Sequence, residues 1–146
     1  MAASVEVAIT ASDDVFQAVN RLLPLLSASV LTITPEQLKA IIAAPGTSLL
    51  LARESGRIVG MLTVLVCATP TGIRALIEDV AVDTHARGQG VGELLMREAI
   101  RIAEAHKART VDLTSRPSRE AANRLYLKVG FEKRETNVYR YQIKAD

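Results

Sequence analysis

The hydrophobic pattern of the first half of the chain predicts one strand, two helices and then a three-stranded meander. Residues 5–9 alternate apolar and polar side chains, as a half-buried strand does. Ser12 is a capping residue for a first helix, and Pro35 suits the first turn of a second. Short turns then separate three apolar segments that are predicted to pair antiparallel, namely residues 48–52, 58–67 and 73–82. The two longer segments are apolar on both faces, so we expect the sheet to be covered on each side.

In the second half, the pattern predicts two helices around a short buried strand. An apolar stripe with helical spacing runs through residues 90–107, and residues 111–113 are typical of a buried strand. A crossover helix of this kind joins parallel strands. Ser118 is the predicted N-cap of the last helix, and Gly130 is its predicted left-handed C-cap, with Phe131 folded back on the last turn.

Two final segments, residues 131–135 and 138–143, are predicted to form a terminal strand pair. The elements together predict an α/β (α+β) domain that spans residues 1–146. Its mixed, mostly antiparallel central sheet has about seven strands, with helices on both faces. A homodimer through the terminal strand pair is compatible with this arrangement.

The composition is that of an ordinary globular protein. Of the 146 residues, 49% are hydrophobic and 23% are charged, and the net charge of +2 is too balanced to indicate nucleic-acid binding. The longest apolar stretch, residues 58–68, is shorter than the roughly 20 residues of a membrane span, and no secretory signal is recognised, so we expect a cytoplasmic protein. Cys67 is the single cysteine, which excludes an internal disulfide, and its apolar surroundings predict a buried position. No metal site is predicted, because His85, expected in a loop, and His106, expected at a helix end, lack partners at ligand spacing.

Three alternate glycines mark the most informative point of the sequence, between the apolar strand that ends at Val82 and the helix that follows. Residues 87–92, the glycine loop, are Arg-Gly-Gln-Gly-Val-Gly. Glycine lets a bulky group approach the main chain, and the first N–H groups of a helix lack internal partners and carry partial positive charge. The glycine loop therefore predicts a site for phosphate or pyrophosphate.

Two common phosphate-binding loops do not fit these residues. A P-loop requires Lys-Ser/Thr after its glycines, but Gly92 is followed by Glu93 and Leu94. A dinucleotide-binding loop needs a small residue where Glu93 stands and begins directly after the strand, whereas the polar residues 83–86 intervene here. We disfavour both, although Asp112 lies about 20 residues further on, at the distance of a ribose-binding acid.

Three segments together resemble the GNAT N-acetyltransferases. Residues 87–92 match the family's Gln/Arg-x-x-Gly-x-Gly/Ala loop, and residues 77–82, Ile-Glu-Asp-Val-Ala-Val, resemble its fourth strand. Residues 123–131, Asn-Arg-Leu-Tyr-Leu-Lys-Val-Gly-Phe, resemble its Asn-x-x-Tyr-x-x-x-Gly-Phe segment, whereas residues 1–70 carry no family motif. The resemblance implies the GNAT fold and an enzyme, an acyltransferase that uses acetyl-CoA and no metal to acetylate a primary amine.

The resemblance also assigns the residues that hold the donor. The backbone of Val80, Ala81 and Val82 would hydrogen-bond the acetyl carbonyl and the pantetheine arm, and Asn123 would make a polar contact to that arm. The main-chain amides of the glycine loop would hold the pyrophosphate. The loop residues implied in donor binding are Arg87, Gly88, Gln89, Gly90, Val91 and Gly92. The Arg87 side chain either adds charge there or only shapes the turn.

The same resemblance assigns the proton transfers. Tyr126 is the candidate general acid, which would contact the coenzyme and protonate its leaving thiolate; the alternative is a tyrosine that only packs beside Phe131. Glu78 is the candidate base, acting directly or through water, and Asp79 is the second candidate. Because neighbouring residues of a strand alternate faces, we expect only one of these two acids to face the site.

The acceptor stays open at this point. An amino-sugar phosphate is one option, because residues 77–82 and the glycine loop particularly resemble glucosamine-6-phosphate acetyltransferases. Polyamines, aminoglycosides, amino acids and protein amines are others, whereas nucleic acid and membranes are not expected partners. Arg116 or Arg119 would hold a phosphate of the coenzyme or of the acceptor, unless both belong to a solvated basic loop. The alternative function is a non-catalytic acyl-CoA-binding sensor, which would need neither Glu78 nor Tyr126.

Overall fold

One mixed sheet organises the fold in this computed structural model, which describes residues 2–27, 29 and 32–144. Within these ranges the strands lie in the order β1-β2-β3-β4-β5. Their bounds are Ser4–Val7 (β1), Thr47–Glu54 (β2), Arg57–Thr69 (β3), Gly72–Val82 (β4) and Thr110–Asp112 (β5). The first four strands pair antiparallel and β5 pairs parallel to β4, which confirms the predicted meander and crossover.

Within the described ranges, four α-helices connect and cover these strands, and the first two start at the capping residues in the sequence. Their bounds are Asp13–Leu22 (α1), Pro35–Ala43 (α2), Val91–Ala105 (α3) and Glu120–Val129 (α4). The Ser12 hydroxyl accepts from the N–H of Val15 at the start of α1, as predicted. At the start of α2, Thr34 and Gln37 form a reciprocal capping box just before and within the first turn.

Apolar side chains cover both faces of the sheet, which confirms that expectation. On one face, Leu62 and Val64 pack in a cluster with α3 and α4. On the other face, Leu51 and Met61 pack with α1 and α2. Each such side chain contributes about 1.5–3 kcal/mol when it is fully buried, so the two layers hold the strands as a firm platform between them.

The predicted terminal strand pair is absent from the described residues 132–144, so the sheet described has five strands rather than seven. Most residues of 132–137 are charged and have no apolar face to bury, and the side chains that follow, including Val138 and Tyr139, are exposed. Strand-forming residues become a strand only when a partner backbone and an apolar surface are available. The sequence pattern therefore predicted two strands, residues 131–135 and 138–143, that do not pair with each other or with the described sheet.

The start of α4 also differs from the prediction. Arg119, not Ser118, is its N-cap, and no side chain caps the helix there. The turn before α4 is held from inside the helix, because the Asn123 side-chain amide donates to the carbonyls of Arg116 and Arg119. At the other end, Gly130 is a left-handed C-cap, as predicted.

Cys67 is exposed, contrary to the prediction of a buried thiol. It lies near the end of β3, a strand of 13 residues whose last three side chains are all exposed. The strand is longer than the layer that covers it, so an apolar sequence does not guarantee burial at its end.

Candidate active site

A bulge in β4 places the two adjacent acids of this strand. Leu62 of β3 lies opposite two residues of β4, Asp79 and Val80. Asp79 has φ of 53°, a left-handed conformation that aspartate tolerates better than most residues. Ile77 and Val80, three residues apart, both pack in the cluster under α3 and α4, which regular alternation would not allow.

The expectation that only one of the two acids faces the site is wrong. Glu78 and Asp79 are both exposed, and both line each of two clefts that lie beside the bulge. Alternation fails because the bulge inserts one residue into β4 and turns the strand locally. The two carboxylates therefore lie where the two clefts meet.

The first of these clefts opens where β4 and β5 separate, and we call it the donor cleft because the resemblance in the sequence would assign the acetyl donor to this part of β4. The two strands pair over only three residues each, so beyond Leu76 no described strand pairs with this edge of β4. The cleft has a volume of about 170 Å³. Its lining residues are Leu26, Ile77, Glu78, Asp79, Val80, Leu113, Thr114, Arg119 and Tyr126. The gap thus exposes main-chain groups of β4 beside two acids and a tyrosine.

Tyr126 reaches the donor cleft from α4. Its side chain is only 8% exposed, and its ring meets that of Phe131 edge-on, with centroids 6.2 Å apart. The N–H of Phe131 donates to the carbonyl of Tyr126, which folds the chain back on the last turn of α4 as predicted. Tyr126 therefore both packs against Phe131 and lines the donor cleft. The contact with Phe131 holds the tyrosine ring in its position at the cleft.

The glycine loop leads from β4 into α3 with its main chain exposed. Gly88 has φ of 77° and Gly90 has φ of 83°, and a Cβ at either position would meet nothing within 4 Å. Gly90 is the N-cap of α3, and the first bond of the helix runs from the N–H of Leu94 to its carbonyl. The N–H groups of Val91, Gly92 and Glu93 therefore lie ahead of the helical ladder, available to an anion.

Side chains of the glycine loop bind back to the segment before it. Nε of Arg87 donates to the carbonyl of Val82 at 3.3 Å, and Nε2 of Gln89 donates to the carbonyl of His85 at 3.3 Å. These two bonds shape the turn from outside. The bond from Arg87 agrees with the turn-shaping role, one of the two that the sequence left open.

The start of α3 lies close against α4. A Cβ on Gly92 would lie 3.0 Å from Cδ2 of Leu125, so a larger residue there would require the leucine side chain to shift. Glu93 then links the helices, because its carboxylate lies 2.9 Å from Nζ of Lys128 and 2.9 Å from Nε of Arg97. Lys128 and, to a smaller degree, Arg97 hold the pKa of Glu93 below its usual range.

The turn before α4 holds Arg116 and Arg119, which the sequence named as candidate phosphate ligands, and a serine that the sequence did not assign to the site. Arg119 lines the donor cleft, whereas Arg116 contributes its carbonyl to the bonds that hold the turn. Ser115 Oγ is buried and has no hydrogen-bond partner in the described chain. Ser115 directly follows Thr114, a lining residue of the cleft. No local pattern of the sequence distinguishes such a serine from a solvated one.

A second cleft lies on the α2 face of the sheet and has a volume of about 490 Å³. We call it the acceptor-side cleft to distinguish it from the donor cleft. Its lining residues are Ala40, Ile41, Ala44, Thr47, Thr63, Leu65, Glu78 and Asp79. Apart from the two acids, the sequence singled out none of them, because each resembles an ordinary helix or strand residue. Both clefts therefore share the two carboxylates of the bulge.

The two histidines of the chain do not line either cleft. His85 lies in a short 3-10 turn, Thr84–Ala86, and His106 is the C-cap of α3, so both positions agree with the sequence prediction. Nδ1 of His106 lies 2.9 Å from the carbonyl oxygen of Ile102.

Of the helices within the described ranges, none has the length and apolar character needed to cross a bilayer.

Comparison with known proteins agrees with this architecture. A search of curated proteins finds no match. A protein of Agrobacterium tumefaciens str. C58, described as an acetyltransferase, is 26% identical, with a TM-score of 0.86 over 95% of this chain and 99% of its own. An aminoglycoside acetyltransferase from an uncultured soil metagenomic sample is 20% identical, with a TM-score of 0.85 over 97% of both chains. Glucosamine-6-phosphate N-acetyltransferase from Arabidopsis thaliana is 18% identical, with a TM-score of 0.81 over 97% of this chain and 99% of its own.

The last two similarities, at such low identity, show the fold alone. The family assignment has a separate basis, since a model of the acetyltransferase (GNAT) family matches residues 16–131, most of the chain. The protein belongs to the acetyltransferase (GNAT) family.

Proposed function

We propose that this protein transfers the acetyl group of acetyl-CoA to a primary amine of a small molecule, with Glu78 as base and Tyr126 as general acid. The observation that carries the proposal is the donor cleft. It brings Glu78 and Tyr126 together at an edge of β4 that lacks a strand partner in the described chain. Family membership supports the acetyl transfer, and the cleft supports the roles of the residues.

The glycine loop fits the pyrophosphate of the coenzyme. The free N–H groups at the start of α3 are the donors that such an anion needs, and the positive φ of Gly88 and Gly90 leaves open space beside the main chain. Arg119 adds a positive charge within the donor cleft. The buried Oγ of Ser115, without a described partner, is a further polar group that a bound ligand would satisfy.

The unpaired edge of β4 fits the acyl group. Main-chain N–H groups of residues 80–82 that point toward β5 have no described strand to donate to. A carbonyl oxygen placed there would accept such a bond, and the bond strengthens as negative charge develops on that oxygen. The bulge at Asp79 fixes the direction of this short segment.

Acetyl-CoA supplies an acetyl thioester, and the residues of this chain would move the protons. Glu78 accepts a proton from the incoming ammonium, directly or through water, so that the amine nitrogen can attack the acetyl carbon. The C–N bond forms as the C–S bond breaks. The nitrogen loses its second proton to solvent as the amide forms. The Tyr126 hydroxyl donates its proton to the departing sulfur, which leaves as a thiol, and solvent then reprotonates Tyr126.

Small-molecule amines are the proposed acceptors. Two proteins of the same fold carry names that specify such amines, an aminoglycoside and glucosamine 6-phosphate. The acceptor-side cleft has a size that suits a small organic molecule, and Glu78 and Asp79 at its end would attract an ammonium group.

Thiol release from acetyl-CoA, measured with a panel of primary amines, tests the proposal. We expect release that depends on the amine, with a product heavier by one acetyl group in mass spectrometry. Cys67 is exposed and would itself react with a thiol reagent, so the assay uses the C67S variant alongside the wild type. Binding of acetyl-CoA without release across the panel would instead support an acyl-CoA sensor.

A further inference from the structure

We propose that the acceptor is a primary amine carried on an apolar, uncharged body, such as an alkylamine or an arylalkylamine. The proposal rests on the proposed function and narrows it to a substrate class. Its basis is the acceptor-side cleft, in which apolar walls end at two carboxylates.

The floor of the acceptor-side cleft is one face of the sheet. Thr63 and Leu65 alternate with buried Val64, so they lie on the α2 face, and Thr63 pairs with Glu78. Leu65 pairs with Leu76, which shares this face and is 37% exposed. An apolar strip therefore extends along the floor, away from the acids.

The wall of the cleft is α2. Ala40, Ile41 and Ala44 line it with methyl and short aliphatic groups. The small side chains at Ala40 and Ala44 leave the space that larger residues would fill. An aliphatic or aromatic body would bury apolar surface on both floor and wall, and each buried methylene strengthens binding about three- to fourfold.

The charges in the cleft select against other acceptors. Among the described residues that line it, none is basic, so a phosphate or carboxylate on the acceptor would lack a partner beside two acids. Hydroxyls are limited to Thr47 and Thr63, too few to satisfy the many hydroxyls of an amino sugar. Glu78 and Asp79 suit one ammonium group at the end of an apolar body.

A homologous series of amines measures this selectivity. With acetyl-CoA saturating, we expect kcat/KM to rise about threefold per methylene from propylamine to hexylamine. Hexylamine and 2-phenylethylamine should then exceed glucosamine 6-phosphate and sisomicin by at least about tenfold. A flat series, or a higher kcat/KM for either sugar amine, would overturn the proposal.

Two variants of α2 locate the effect. In Ala40→Leu the cleft narrows, so kcat/KM for hexylamine should fall about tenfold while that for propylamine changes less than about twofold. Ala43→Leu makes the same change at an exposed position of the same helix that does not line the cleft, and it should preserve the whole series. Equal effects of the two variants, at unchanged melting temperatures, would contradict a binding role for the cleft.

The proposed function and the acceptor class fail in different ways. Turnover of amines without dependence on chain length overturns only the acceptor class. If no amine is turned over, the proposed function fails. Calorimetric titration with hexylamine and with propylamine then still measures how tightly the acceptor-side cleft binds each amine. Tighter binding of hexylamine than of propylamine would support an apolar amine-binding site, and equal binding of the two amines would contradict it.

Discussion

The two sides of the site differ in how much of their chemistry the local sequence displays. On the donor side, the glycine loop, α3 and α4 present three glycines, an asparagine and a tyrosine at fixed spacing. On the acceptor side, α2 and β3 present alanine, threonine and leucine residues that resemble any packed helix or strand. A ligand held by the main chain demands glycines at particular positions, whereas a ligand held by an apolar surface demands only what a core also demands.

The two sides meet at the bulge in β4, where both clefts share Glu78 and Asp79. If this division between a motif-rich donor side and a motif-free acceptor side is right, donor-side substitutions should change turnover or coenzyme affinity whatever the amine. Acceptor-side substitutions should change amine selectivity. The substitutions below test the donor side and the bulge, from the largest expected effect to the smallest.

Tyr126→Phe should have the largest effect. Loss of the hydroxyl removes the proton donor for the leaving thiolate, so we expect kcat to fall about 10³-fold with little change in the KM for acetyl-CoA. Steady-state thiol release measures both constants. Tyr139→Phe, at a side chain that is 87% exposed, is the matched control and should leave kcat unchanged. Equal kcat in the Tyr126 variant and the wild type would end the assignment of Tyr126 as the acid.

Glu78→Gln tests which acid at the bulge is the base. We expect kcat to fall about 10²-fold at neutral pH and to keep rising with pH, since the amine must then lose its proton to solvent. Asp79→Asn is the control, because asparagine also tolerates the left-handed φ of 53° and keeps the bulge. It should retain the plateau of the wild-type pH–rate profile. The reverse pattern would make Asp79 the base.

Gly90→Ala should raise the KM for acetyl-CoA about tenfold, because strain at φ of 83° would turn the loop amides away from the pyrophosphate. Gly56→Ala is a close control, with φ of 81°, open space for the Cβ and a position in the turn between β2 and β3. Both variants should lose about 1 kcal/mol of unfolding free energy. A similar rise of the KM for acetyl-CoA in the two variants would show that backbone strain in general, and not a change in the glycine loop, weakens coenzyme binding.

Glu93→Gln should have the smallest effect, a fall in melting temperature of about one degree at neutral pH, since its partners Lys128 and Arg97 are exposed to solvent. The folded-state pKa of Glu93 is lowered by Lys128 and then Arg97, so its stabilisation is present at neutral pH and is lost as the pH falls through that lowered value. The difference between variant and wild type should therefore vanish in acid and shrink in high salt. Melting curves at several pH values measure it, and a difference that grows in acid would contradict the ion pairs.

Much of the fold could be predicted because its signals are local. Ser12 and Pro35 set helix starts through backbone hydrogen bonding and a fixed φ, and Gly130 ends α4 because a left-handed cap suits glycine. The glycine loop announces an anion site for the same kind of reason. The terminal strands were predicted wrongly because a strand needs a partner that only the assembled sheet provides.

The sequence by itself determined the order of the elements from β1 to α4, the covered sheet, the glycine loop and the identity of Tyr126 as a residue of interest. Only the tertiary structure decided that β4 bulges at Asp79, that both acids line two clefts, and that Ala40 and Leu65 line the same cleft. The physical reason is the separation along the chain over which each kind of interaction acts. Caps, turns and periodicity act between residues a few positions apart, whereas a bulge and a cleft depend on register and packing between segments distant in the chain.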